Sequence, residues 1–207
     1  MINFLSFAMG RYSVLLLASL GACQSASESR PALPPATVPA AAPTQRPSLS
    51  PEQTAVSFFT YYKRHRAALN ALNLVANLAD EDTTRAYAID FDQTAQFVNT
   101  LQASGCVSPT YLEQWDHYFH RWADSLQRHP MSQGDVDGFA YELVLASQDG
   151  DEYVDKIGRV PKQVRYPAPD RALVTADFST NPQLSNKKLF HLRHYAKGWL
   201  IDSITSE

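Results

Sequence analysis

The chain changes its hydrophobic period, and that change limits the folds open to it. Leu112, Trp115, Phe119, Trp122 and Leu126 recur every three or four residues, the spacing of one helix face. Beyond Ile157 the period falls to two. Ala172, Val174, Ala176 and Phe178 alternate there with Leu173, Thr175 and Asp177, as on a half-buried strand. Helices first and strands afterwards predict an α+β domain. The expected architecture is N-terminal helices packed on one face of an antiparallel sheet of about four strands.

Local signals place the elements. Ser50-Pro51-Glu52-Gln53 is a capping-box pattern with proline at the first helical position. Behind it Ala55, Phe58, Phe59, Tyr62, Arg66 and Leu69 form one stripe, and Lys63-Arg64-His65-Arg66 reads as a solvated basic end. Ala71 to Leu78 reads as a helical continuation or a second short helix. From Asp90, the residues Phe91, Ala95, Val98 and Leu101 predict another helix. Ser108-Pro109 repeats the helix start, and His129-Pro130 stops that helix. Arg159 to Tyr166 is a strand candidate, with Pro161 marking an edge or a bulge. Lys188 to Ala196 is another, with Phe190, Leu192 and His194 on one face. Lys197-Gly198 is a turn, and Trp199 to Ile204 closes the sheet.

The first 49 residues read differently. Residues 1–22 have the layout of a secretory signal: Arg11, then an apolar core from Tyr12 to Leu20, then small residues. That core is shorter than the roughly 20 residues needed to span a bilayer. Leu20-Gly21-Ala22-Cys23 is similar to the lipobox of bacterial lipoproteins, which implies acylation, palmitate included, at Cys23. More than one acyl chain anchors a protein firmly. An ordinary secretory signal or an uncleaved anchor are the competing readings. Residues 23–49 are rich in Pro, Ala, Ser and Thr and hold no aromatic residue. Such a segment buries too little apolar surface to offset its ordering entropy, so it reads as a tether. A ligand for a proline-recognition module is the sharper alternative. Residues 50–207 are left as a single domain.

The formal net charge is −3, and it becomes more negative once the segment holding Arg11 is removed. That argues against nucleic acid as a partner. With Cys23 acylated, Cys106 has no second cysteine to pair with, and it is either buried or used between molecules. No cofactor motif is recognisable. His117 and His120 share a helix face with Glu113, Asp116 and Asp124. A metal site and a wet face with His and acids one turn apart are the two readings, and no third ligand at characteristic spacing favours the metal. Acids crowd the segment from Asp135 to Asp155, including Glu142. They fail the calcium-loop pattern, since Tyr153 and Val160 fall where ligands belong, and they read as a solvated surface.

Three stretches carry a resemblance. They are the helix Pro51-Glu52-Gln53-Thr54-Ala55-Val56-Ser57-Phe58-Phe59-Thr60-Tyr61-Tyr62, the segment Ala146-Ser147-Gln148-Asp149, and the ending Gly198-Trp199-Leu200-Ile201-Asp202-Ser203-Ile204. Together they resemble the nuclear-transport-factor-2-like, or cystatin-like, domains. Gln148-Asp149 resembles the same segment in bacterial envelope lipoproteins of unknown function. The resemblance implies helices on the concave side of a curved sheet, a cone with a pocket; Gln148 and Asp149 are its candidate motif residues, and Tyr141 and His191 are added as candidate pocket residues for proton transfer. It covers Ser50 to Glu207, with no counterpart for Ala67 to Ala88.

The expected function is a non-catalytic binding domain held at the bacterial envelope by lipid on Cys23. The place is the outer membrane, facing the periplasm or the cell surface. The partner is an envelope protein or a small ligand. Two alternatives stand beside it. One is an isomerase or dehydratase with an acid-base pair drawn from Asp149 or Asp177 with Tyr141 or His191, against which Asp149 also reads as a turn residue before Gly150 and His191 as lying on the wetter strand face. The other is a toxin-neutralising immunity lipoprotein. No catalytic residue is assigned, because no pair is placed by spacing.

Overall fold

A computed structural model describes residues 48–78, 83–148, 150–180 and 186–207, with the backbone alone at Asp151. The signal segment, Cys23 and nearly all of the tether lie outside the described residues. Helix α1 spans Pro51–Asn70 and opens with the predicted capping box, Ser50 and Gln53 each bonding the other's backbone N–H. Its stripe is buried at Ala55, Phe58, Phe59, Tyr62 and Leu69.

The chain then departs from the helical expectation for Ala71 to Leu78. Val75–Ala76 forms a two-residue strand β1, paired with β2 at Ala88–Ile89. Asn77 sits at φ 65°, which no helix continues through, and its side chain bonds the Ala86 carbonyl to close the connection. Helix α2, Phe91–Ala103, is capped by the Asp90 side chain. Its buried face is Thr94, Phe97 and Leu101, one position round from the predicted one, so Phe91 is exposed. Helix α3, Pro109–Arg128, starts on Ser108 and ends at His129, as read. Tyr111, Phe119 and Leu126 are its buried residues, while Leu112, Trp115 and Trp122 are half-buried against the core.

The acidic stretch is not simply a wet surface. Gly150–Lys156 forms a short helix α4 that buries Tyr153 and Val154, and Glu142 turns inward.

Four strands finish the chain: β3 (Lys162–Ala168), β4 (Arg171–Asp177), β5 (Lys187–Tyr195) and β6 (Gly198–Ser206). They form an antiparallel meander in the order β3-β4-β5-β6. Pro161 lies just before the edge strand β3. Pro167 lies within it, where the register with β4 shifts between Arg165 and Ala168, an irregularity that blunts an open edge. The sheet buries Ala172, Val174, Ala176, Phe190, Leu192 and Ile201. Helix α1 lies against that face, with Phe59 edge-on to Phe190 at 5.5 Å between ring centres. Helix α3 covers the β6 side. The chain is therefore α+β, helices packed on a four-stranded antiparallel sheet that does not close.

Candidate functional site

The polar centre of the domain is built around a carboxylate that sits in an otherwise apolar run, Phe139 to Ala146. Glu142 and Ser147 exchange backbone hydrogen bonds at 3.1 and 3.2 Å, which folds residues 142–147 into a closed loop. The loop turns through Ala146 at φ 48°, a left-handed conformation that costs a non-glycine residue roughly 1–2 kcal/mol. Something must hold it there, and the Glu142 side chain does so from inside. Its oxygens accept from the N–H groups of Val144 at 3.1 Å and Leu145 at 2.6 Å. From α1, the Tyr62 hydroxyl donates a short hydrogen bond to the same carboxylate. An ionised carboxylate only accepts, and three donors converge on it. Burial, with the Glu142 charge second, raises the Tyr62 pKa far above that of an ordinary phenol, so Tyr62 keeps its proton and stays a donor.

Lys188 extends the network to the sheet. It is 4% exposed and donates to the Leu145 carbonyl at 2.8 Å and to Ser206 Oγ at 2.7 Å. Its ammonium also lies 5.3 Å from the centre of the Tyr153 ring, within cation–π range. Burial lowers its pKa, against an opposing pull from Glu142. On the remaining side α4 begins at Gly150. A β-carbon there would lie 2.3 Å from Glu142 Cβ, so only glycine lets α4 approach this closely.

Two clefts flank this loop. The larger, about 610 Å³, lies among α1, β1 and the loop. Leu72, Leu74, Leu78 and Phe97 supply much of its apolar wall, and Asn70, Asn73 and Gln148 bring side-chain amides. Glu142 is the one charged residue that lines it among the described residues. The smaller cleft, about 390 Å³, lies between α3, the loop and β6. Its walls are Tyr111, Trp115, Tyr118, Tyr141 and Leu143, with His117 and Arg121 also lining it. The Tyr118 hydroxyl donates a short hydrogen bond to the Gly138 carbonyl.

The structure sorts the candidate residues. Tyr141 lines both clefts, and Gln148 lines the larger. Asp149 lies outside the described residues. His191 is exposed on the opposite face of the sheet, 3.3 Å from Thr205 Oγ1. Asp177 closes β4 by accepting the Ser179 N–H at 2.9 Å, and hydrogen bonds from Ser179 hold its pKa below the usual carboxylate value. Neither lines either cleft, so His191 and Asp177 are not brought to Tyr141.

His117 and His120 are both exposed. His120 lies 2.9 Å from the Asp116 carbonyl and 3.6 Å from its carboxylate. No group of three metal-ligating side chains occurs among the described residues. Cys106 is a free, buried thiol whose pKa burial raises. No described helix is long and apolar enough to cross a membrane.

Glu142 and Lys188 are absent from the residues expected at the site. The available signal was a lone acid inside an apolar run and a lone lysine on the Phe190–Leu192 face of a strand. No family model matches the chain, and neither a curated protein nor a solved structure matches it significantly.

Proposed function

We propose that this protein is a lipid-anchored bacterial envelope protein with a nuclear-transport-factor-2-like domain. Its domain binds a partner in the cleft beside Glu142 without transforming it. The observation that carries the binding reading is the commitment of Glu142. The one carboxylate facing the larger cleft among the described residues already accepts from Tyr62, Val144 and Leu145, so it serves as structure. What the cleft offers a visitor is leucine side chains and the amides of Asn70, Asn73 and Gln148. Apolar walls with a few convergent hydrogen-bonding groups suit a ligand pocket. Paired amide donors and acceptors suit a peptide segment of an envelope protein. Anchoring rests on the likeness of Leu20-Gly21-Ala22-Cys23 to a lipobox.

Each half has its own test. Cys23→Ser is expected to release the protein from membranes, and continued membrane attachment would remove the lipid anchor. A photo-crosslinking residue at Leu78, which lies exposed beside the cleft, is expected to give a discrete adduct in intact envelopes. That adduct should vanish when Leu74→Arg blocks the cleft. No adduct, or one indifferent to Leu74→Arg, would refute binding at this place.

A further inference from the structure

We infer that the smaller cleft, between α3 and β6, is a separate binding site for a small aromatic carboxylate. Four aromatic side chains, Tyr111, Trp115, Tyr118 and Tyr141, line it. They offer flat apolar surface in two orientations, since the rings of Trp115 and Tyr118 stand at 72° to one another. A planar ring laid against the exposed sides of the pair finds both a stacking and an edge-on neighbour.

The charges select the other half of the ligand. Among the described residues no acidic side chain lines this cleft, whereas His117 and Arg121 do. The Arg121 guanidinium lies 6.0 Å from the centre of the Tyr118 ring and has no ion-pair partner among the described residues. A guanidinium over a ring, with its donors unspent, matches a carboxylate in both geometry and charge.

The third observation is an unsatisfied group. Tyr111 is 3% exposed and its hydroxyl has no hydrogen-bond partner among the described residues. The Trp115 indole lies near enough to favour the phenolate slightly, but not in hydrogen-bonding geometry. Burial raises the phenol's pKa, so the hydroxyl keeps its proton. A buried donor left without an acceptor is uncommon. The hydroxyl oxygen has no accessible surface, so a ligand oxygen satisfies it only when the Tyr111 ring turns toward the cleft. The volume, about 390 Å³, lies in the lower part of the range for small-molecule sites, roughly 300–1,000 Å³.

The site is distinct from the cleft beside Glu142, and the experiment keeps them apart. Naphthalene-2-carboxylate is titrated into the full-length protein by calorimetry, with the indole N–H signals of Trp115 and Trp199 followed by NMR. Saturable binding is expected, with a shift at Trp115 and none at Trp199, which lies on β6 outside this cleft. The neutral naphthalene-2-carboxamide should bind about tenfold more weakly, as should the carboxylate to Arg121→Gln, through loss of the charge-assisted contact. Tyr111→Phe should weaken binding about fivefold while the fold is kept. Leu74→Arg, in the other cleft, should change nothing. Equal affinity for acid and amide, indifference to Arg121→Gln, a shift at Trp199 instead of Trp115, or no saturable binding would each overturn the assignment.

Discussion

The two clefts share Tyr141 and Leu143 and treat their buried polar groups in opposite ways. In the larger, Glu142 is surrounded by donors and Tyr62 spends its proton on it. In the smaller, Tyr111 is as deeply buried as Tyr62 but has no partner among the described residues. The difference teaches how to separate structure from recognition. A buried group whose bonds are complete stabilises the chain around it, and its removal strands the partners. A buried group with an open bond adds little to stability, and what it can do must come from a molecule that arrives later. By that measure the Glu142 network holds the loop, and the Tyr111 side of the wall is the one left ready for chemistry from outside.

Alkali puts the largest strain on both sides at once. Tyr62, Tyr111 and Tyr118 all have pKa values raised by burial above the ordinary 10.0. Their phenols stay neutral in the folded chain after those of the unfolded chain ionise. The stability they confer is full below pH 10 and is lost as pH climbs from there toward the raised values. Tyr62 and Tyr111 each cost about 1.4 kcal/mol per pH unit in that window, and the half-buried Tyr118, screened by solvent, costs less. Lys188 runs the other way. Its folded pKa lies below 10.5, so its burial penalty eases as pH rises through the folded value toward 10.5. Denaturant unfolding as a function of pH should therefore steepen above pH 10. Tyrosinate absorbance from these three residues should appear with unfolding and not before it. If their phenolates form while the circular dichroism is still native, the burial on which the comparison rests is wrong.

Glu142→Ala comes next. It strands the Tyr62 hydroxyl and two loop N–H groups, and should cost about 3 kcal/mol in urea unfolding. Glu142→Gln keeps an acceptor and should cost roughly half as much. A loss under 1 kcal/mol for the alanine variant would make the network incidental.

How far this division could be read from the residues depends on the range of the interactions. The capping box at Ser50, the helix stop at His129 and the alternation from Ala172 to Phe178 are local, and each lies where the chain predicts it. The short β1–β2 pair was not legible. Its strands have two residues each and are joined by a left-handed Asn77, with no period to detect. Glu142 was counted with the surface acids because its meaning lies 80 residues away, at Tyr62. Lys188 likewise takes its role from Leu145, on a loop far back in the chain. Gln148 stands in a stretch that carries the resemblance, Tyr141 is a donor candidate of the acid-base reading, and both line a cleft. His191 follows Phe190 by one position, so the alternation puts it on the wetter face of its strand, and it is exposed there.

Gly150→Ala sharpens the Glu142 side without touching a hydrogen-bonding group. The added carbon would meet Glu142 Cβ at 2.3 Å, too close for the loop and α4 to keep their places, and should cost about 2 kcal/mol. Thermal melts of Gly150→Ala and Glu142→Ala singly and together would show coupling, since both act on the same packed loop. Strict additivity would mean that Gly150 matters for another reason.

The smallest effect is the most discriminating. Tyr111→Phe removes a hydroxyl that has no partner among the described residues, and it keeps the ring that packs on Phe58 and Trp115. Loss of an unsatisfied polar group is neutral or mildly favourable, so stability should change by no more than about 0.5 kcal/mol or rise slightly. Tyr62→Phe, the same chemical change one cleft away, takes a donor from Glu142 and should cost about 1.5 kcal/mol. Measured side by side, the two variants give a difference free of ring packing, because each retains its ring. If Tyr111→Phe destabilises as much as Tyr62→Phe, the Tyr111 hydroxyl already has a partner inside the protein, and the two walls are alike.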